Sequence, residues 1–142
     1  MDTRALTIDH YEEIISLWEV SGLSHRPQGR DSREHISAEM TNPLCRYIGA
    51  FDSTRLVGVV IANYDSRRGW INRLAVHPDY RGKRLARDLI AEAESFLHKQ
   101  GALVIAALIE EDNATSIAAF AGTGYEVMDS IKYYSKRPFP GA

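Results

Sequence analysis

Arg81, Lys83, Arg84 and Arg87 follow directly on a segment that reads as a strand, and Gly82 stands among them. Four cations therefore gather within about two helical turns. A helix that begins there leaves its first N–H groups unpaired, facing whatever lies at the strand's carboxyl end. The helix dipole adds about half a positive charge at the same point. Gly82, without a Cβ, lets backbone and ligand approach closely. A polyanion suits such a cluster, and a pyrophosphate is its usual occupant. The plainer reading is a solvated cationic face with Gly82 serving only the turn. Elsewhere the chemistry is sparse. The lone Cys45 has no partner for a bridge, and no Cys/His spacing suggests a metal site. No serine or cysteine sits in a recognisable nucleophile elbow.

The elements that must position this cluster follow from periodicity. Residues 2–7 read as a short strand. Asp9 can cap a helix carrying Tyr11, Ile14, Ile15 and Trp18 at helical spacing, ended by Gly22. Leu23–Asp31 is a polar loop, and Ser32 caps a second helix that stops near Asn42-Pro43. The period then changes: Tyr47–Phe51 and Leu56–Tyr64 form a hairpin through Asp52–Arg55, and Trp70–Val76 follows the Asp65–Gly69 turn. His77-Pro78-Asp79 breaks that strand. A helix is expected from about Gly82 to Gln100, with Leu85, Leu89, Ala93, Phe96 and Leu97 as its apolar stripe and Gly101 at its C-cap. Leu103–Ile109, apolar throughout, reads as a strand buried on both faces. A short helix over Ala114–Ala121 closes at Gly122 and Gly124, and Tyr125–Tyr134 supplies a last strand or strand pair. The order β-α-α-β-β-β-α-β-α-β implies an α/β (α+β) fold with a mixed sheet, antiparallel first and parallel around the long helix.

The chain has 142 residues, 44% apolar and 25% charged, which fits one domain over 1–142 with an ordinary core. The net charge of −2, without aromatic interleaving among the cations, argues against a nucleic-acid partner. No apolar run approaches the ~18–20 residues of a membrane span. The N-terminus lacks the apolar stretch of a secretory signal, so a cytoplasmic location and no membrane partner are expected.

The segment Ile71–Ile90, INRLAVHPDYRGKRLARDLI, resembles the central acyl-CoA motif of the GNAT superfamily of N-acyltransferases. The matching residues are Leu74-Ala75-Val76 at the strand end, Pro78, Arg81, Gly82 and Ala86. Downstream, Asn113–Val127, NATSIAAFAGTGYEV, is similar to the family's second motif. The resemblance implies a GNAT-like domain of about six or seven strands and about four helices. It implies acetyl-CoA (coenzyme A) as the cofactor and transfer of an acetyl group to a primary amine, of a small molecule or a peptide, by direct attack in a ternary complex. Leu74, Ala75 and Val76 would meet the pantetheine arm, and a backbone N–H, that of Val76, would polarise the thioester carbonyl. The amides from Gly82 through Lys83, Arg84, Leu85 and Ala86 to Arg87 would hold the pyrophosphate, with Arg81 among the nearby cations. Asn113 would contact the cofactor arm near the thioester.

Two positions depart from the family pattern. Arg84 stands where a glycine is usual; because arginine does not readily take positive φ, the turn is expected to be helical there. Phe120 stands where the family carries its general acid, a tyrosine, and is counted here with the cofactor-contacting residues. It has no proton to donate. A thiol with pKa near ~8.5 is nonetheless a tolerable leaving group. Tyr133 and Tyr134 are alternative donors, or simply packing. The usual strand glutamate is missing, the place holding Trp70 or Asn72. Glu110 and Glu111 stand close before Asn113; Glu111 is the candidate base, against the plainer reading of both as helix-flanking charges. Leu23–Asn42 would wall the acceptor site, with His25 and His35 reading as surface residues. An acyl-CoA-binding module without transfer is the alternative function. The last strand is free to pair with a second copy, making a homodimer a candidate assembly.

Overall fold

The computed structural model describes residues 1–82 and 84–142. The chain opens with β1 (Asp2–Ala5), a 3-10 turn at Ile8–His10, α1 (Tyr11–Val20) and α2 (Arg33–Met40). Three strands follow: β2 (Cys45–Asp52), β3 (Arg55–Tyr64) and β4 (Arg68–Val76). After a 3-10 turn at Pro78–Tyr80 come α3 (Leu85–Gln100), β5 (Val104–Ala106) and α4 (Ala114–Ala121). The strands lie in sequence order, β1-β2-β3-β4-β5, with every pair antiparallel except β4 and β5.

Local chemistry explains most boundaries. Ser32 caps α2, its hydroxyl accepting from the His35 amide at 3.1 Å. Gly101 ends α3 at φ +111°, as a C-cap glycine should. The β3–β4 turn is held by Asp65, whose carboxylate accepts from the Arg67 and Arg68 amides and the Trp70 indole. The Arg68 amide, then Trp70 and the Arg67 amide, lower its pKa to about 2. These bonds persist while the carboxylate is ionised and weaken as pH falls towards about 2.

Two apolar layers sandwich the sheet. On one face α3 lays Leu85, Leu89, Ile90, Ala93 and Leu97 against Val57, Val60, Ile71, Leu74 and Val76. On the other, Ile14, Leu17 and Trp18 of α1 and Ile36 of α2 cover Tyr47, Val59, Ile61 and Ala75. The alternation of Leu74, Ala75 and Val76 between the two layers is the period-two signature of a central strand. Gly58 and Gly69 let α3 sit close: a Cβ on either would meet Leu89 or Leu97 at 2.9 and 3.0 Å.

Three expectations are corrected. Among the described residues the sheet has five strands rather than six or seven. The apolar run Leu103–Ile109 contributes only the three residues of β5, and Leu103 is 94% exposed, so this strand is not buried on both faces. Tyr125–Tyr134 forms no strand, and every residue from 126 to 140 is exposed. The cause is shared: β5 is an edge, and nothing in this chain pairs with its outer side among the described residues. The four α-helices agree with expectation, although α3 begins at Leu85 instead of Gly82. Among the described residues, no helix is long and apolar enough to cross a membrane.

Leu89, fully buried between α3 and the sheet, tests the packing. Leu89→Ala should lower the unfolding free energy by about 2–5 kcal/mol in chemical denaturation.

Candidate functional site

Strands β4 and β5 run parallel but stay together for only three residue pairs, Arg68–Val104, Gly69–Ile105 and Trp70–Ala106. Beyond Trp70 they part. The β5-facing edge of β4 from Ile71 to Val76 is therefore unpaired, while its other edge remains bonded to β3. An open edge in the middle of a sheet is a run of N–H and C=O groups available to an extended ligand. Leu74, Ala75 and Val76 line a cleft at this fork, together with Arg81, Ala86 and Asn113. The structure thus brings together six of the residues singled out from sequence. It adds Ser21 and Leu23 from just beyond α1, and Thr115 and Ser116 from the first turn of α4. Thr115 and Ser116 carry only a faint signal in the sequence, two hydroxyl residues one place beyond a helix-capping asparagine.

The turn into α3 holds two left-handed residues. Gly82 has φ +78°, with open space where a Cβ would stand. Arg84 has φ +65° and ψ 11° and serves as the N-cap of α3 without a side-chain bond. Here the helical turn expected at Arg84 is corrected. The chain passes from extended Arg81 to a left-handed Arg84 at the N-cap of α3. An arginine in this conformation costs about 1–2 kcal/mol. In return, the amides of Leu85, Ala86 and Arg87 precede the first α3 bond, Asp88 N–H to the Arg84 carbonyl, and have no acceptor within the helix. Lys83 lies outside the described residues.

The cations do not all converge. Arg81 reaches over the cleft, donating from Nη2 to the Ser21 carbonyl at 3.3 Å. Arg84 is exposed. Arg87 turns to the end of α4, where a Cβ on Gly122 would lie 2.7 Å from its Nη2. A cation at that helix C-terminus is favourable in itself, so Arg87 offers the cleft its amide rather than its charge. Leu85 gives its side chain to the core.

Asn113 has two duties. Its Oδ1 accepts from the Ser116 amide at 3.1 Å, capping α4, while the residue also lines the cleft. Phe120 sits in the core at 4% exposure, edge-on to Tyr125 with ring centroids 4.9 Å apart, rather than on the cleft wall. Tyr125 donates to Glu94 at 2.7 Å. Burial first, then this bond, pushes its pKa up, so the hydroxyl stays protonated and committed to Glu94. Glu110 and Glu111 are exposed in the turn before α4 and do not line the cleft. Among the described residues, the lining contains no carboxylate and no histidine. Cys45 is buried, and its pKa is pushed up to about 12 by desolvation and then by Glu39, so its thiol stays protonated.

One residue escaped the sequence reading. Val59 pairs with Ala75 but Ile61 pairs with Asn72, so Arg73 and Leu74 share one opposing residue in a β-bulge. Arg73 takes φ +55° there. Its guanidinium lies over the Trp18 ring at 4.2 Å, donates to the Ser24 carbonyl at 2.6 Å and faces Asp31 at 3.9 Å. Burial lowers its pKa; Asp31 opposes that shift, and Arg30 and Arg26 add to it. Asp31 in turn accepts from the Arg26 amide at 2.7 Å, and its carbonyl takes the Tyr11 hydroxyl at 2.7 Å. The loop between α1 and α2 is thereby tied to the strand that forms the cleft. A cation in a sequence reads as surface, and nothing local marked this one as a tie.

The acetyltransferase (GNAT) family model matches residues 11–125. An acetyltransferase of Sodalis glossinidius is 33% identical over 137 residues, covering 96% of this chain and 95% of the relative. Among solved structures, the PaiA N-acetyltransferase of Thermoplasma acidophilum, in complex with coenzyme A, superposes with a TM-score of 0.79. It is 22% identical, with 90% of this chain and 91% of that one covered. An aminoglycoside 6'-N-acetyltransferase from Acinetobacter haemolyticus gives 0.80 at 17% identity, over 96% and 99% of the chains. These two likenesses concern the fold.

The strain at Arg84 is testable without ligand. Arg84→Gly should stabilise the chain by about 1 kcal/mol, raising the melting temperature by roughly 3–5 °C in calorimetry.

Proposed function

Because this chain belongs to the acetyltransferase (GNAT) family, we propose that it moves an acetyl group from acetyl-CoA to a primary amine by direct attack within a ternary complex. The enzyme class, an acyl-CoA-dependent N-acetyltransferase, comes with the family. The acceptor and the roles of individual residues are our reading. The observation that carries it is the fork between β4 and β5, where an open strand edge meets three unpaired amides of α3 and the side chain of Asn113.

In this reading acetyl-CoA is a substrate, with the Leu74–Val76 edge facing its pantetheine arm. The amide of Val76 polarises the thioester carbonyl, a role for a fixed N–H donor where negative charge develops. The turn from Gly82 to Arg87 takes the pyrophosphate through its amides, with Arg81 adding charge from across the cleft. Asn113 keeps Nδ2 for the ligand while Oδ1 caps α4. The acceptor, a small molecule or a peptide end, enters beside the loop that Arg73 ties down. The thiolate leaves without an acid from Phe120, and no protein nucleophile takes part, consistent with a buried, protonated Cys45. With no base in the cleft lining, Glu111 in the exposed turn before α4 receives the amine's proton through water. The whole span works as one domain, in a cytoplasmic setting, as a homodimer.

A binding module without transfer is the rival, favoured by Phe120 and its burial in the core. Acetyl-CoA at a hundred times Kd should stabilise the chain by about 2.7 kcal/mol, raising the melting temperature by upwards of about 5 °C. No shift with acetyl-CoA or CoA would overturn both readings, whereas a shift without CoA release across an amine panel leaves the module. In turnover, kcat/KM should rise about tenfold per pH unit up to the acceptor's own pKa, near 8 for an α-amine or near 10.4 for a lysine. Glu111→Gln should cost tenfold or so at pH 7, below the full ~10²–10⁴ of a directly placed base.

A further inference from the structure

The bulge of β4 and the loop between α1 and α2 gather arginines out of proportion to a chain of net charge −2. Arg73 reaches from the bulge to the loop, where Arg26 and Arg30 stand close enough to help depress its pKa. Arg81 donates to the Ser21 carbonyl just past α1. Against these four cations stand Asp31, 3.9 Å from Arg73, and Glu19, which already faces His25 at 3.7 Å. Arg81 lines the cleft and is accounted for by the pyrophosphate; the other three are not.

Arg73 is the best placed of them. It stands immediately before Leu74, and its partner Ser24 stands immediately after Leu23; both leucines line the cleft. The guanidinium therefore sits at the seam where strand and loop meet beside the cleft. It is also under-used. Among the described residues one hydrogen bond holds it, from Nη2 to the Ser24 carbonyl, although a guanidinium carries five N–H donors. The Asp31 carboxylate at 3.9 Å lies beyond hydrogen-bond range. Nε is buried without an acceptor, and so is Nε1 of the Trp18 ring beneath it. Some 24% of the side chain stays exposed. Burial lowers its pKa by more than Asp31 restores, as for a cation short of counter-charge, yet an arginine keeps its proton. A tie between loop and strand needs one neutral donor. A half-compensated arginine at φ +55° is a costly way to supply it, and such strain is tolerated where it serves a site.

We propose that Arg73, flanked by Arg26 and Arg30, recognises a carboxylate on the acceptor, so that the amine acetylated belongs to an amino acid or a similar zwitterion. The planar fork of a guanidinium matches a carboxylate with two parallel, charge-assisted bonds. The carboxylate rests at the seam beside Leu23 and supplies the negative charge that Asp31 alone does not. The amine, once deprotonated, points along the β4 edge towards the thioester. A polyamine would bring further positive charge to a cationic wall and is rejected by repulsion.

This inference rests on the acetyl-transfer reading and deepens it. Turnover is measured on matched pairs, each acid against its own amide: glycine, β-alanine, γ-aminobutyrate and ε-aminocaproate, expressed per unprotonated amine. The best acid should exceed its amide in kcat/KM by about tenfold or more, the range for a hydrogen-bonded charge, with the difference mainly in KM. Arg73→Asn removes the cation but keeps a residue that tolerates positive φ, and should bring that ratio near one; Arg73→Lys should keep part of it. An equal loss for acid and amide would make Arg73 a tie only and overturn the proposal. So would a wild-type chain that prefers the amides. Should Arg73→Asn fail to fold, Arg26→Gln/Arg30→Gln, half-buried and exposed loop positions, should lower the ratio severalfold; an unaltered ratio counts against recognition. If no amine of any kind is acetylated, the transfer reading fails and binding decides the rest. With CoA present, ε-aminocaproate should then raise the melting temperature of the wild type more than that of Arg73→Asn, and no difference overturns the carboxylate site as well.

Discussion

The parting of β4 from β5 is the constraint on which the rest of this molecule turns. Two parallel strands joined by a crossover helix would ordinarily bond along their length. Here three pairs form and the strands then diverge, so β4 from Ile71 to Val76 keeps one bonded edge and one open edge. Open backbone inside a protein is costly unless something satisfies it. The cleft is thus a demand for an extended, hydrogen-bonding ligand as much as a place for one. The start of α3 stands at the same fork because the helix must begin where β4 ends, and its orphan amides add a demand for negative charge.

The bulge at Arg73 and the left-handed Arg84 belong to this arrangement. Both are arginines in a backbone region that favours glycine. At Arg73 the surroundings hold the conformation in place: a stacking ring, a carbonyl and a carboxylate fix the guanidinium, and the bulge turns β4 away from regular pairing. At Arg84 the corner between strand and helix holds it, and the side chain remains exposed. Two of the four non-glycine residues at positive φ, Arg73 and Arg84, thus stand next to the cleft, while Ser53 and Ser66 sit in hairpin turns.

The open outer edge of β5 is the counterpart of the same divergence. A strand reduced to three residues cannot bury an apolar run of seven, so Leu103, Val104 and Leu108 are left facing out.

Much of this was legible in the residues. Helical spacing in α1 and α3, the Ser32 and Gly101 caps, the β2–β3 hairpin and the anion-binding turn each depend on neighbours close in sequence, which is why periodicity and capping chemistry could find them. So could the family, since its motifs lie within single strand–turn–helix units. What the sequence alone could not determine depends on distant partners. The pairing of β5, and with it the true strand count, rests on which edge a strand meets, not on its own apolar content. Arg73 is a tie only because Trp18, Ser24 and Asp31 are brought to it. Arg87 leaves the cleft only because the end of α4 lies within reach. The left-handed turn at Arg84 runs against local preference, so propensity points to a helical residue there, and only the observed path from β4 into α3 shows otherwise.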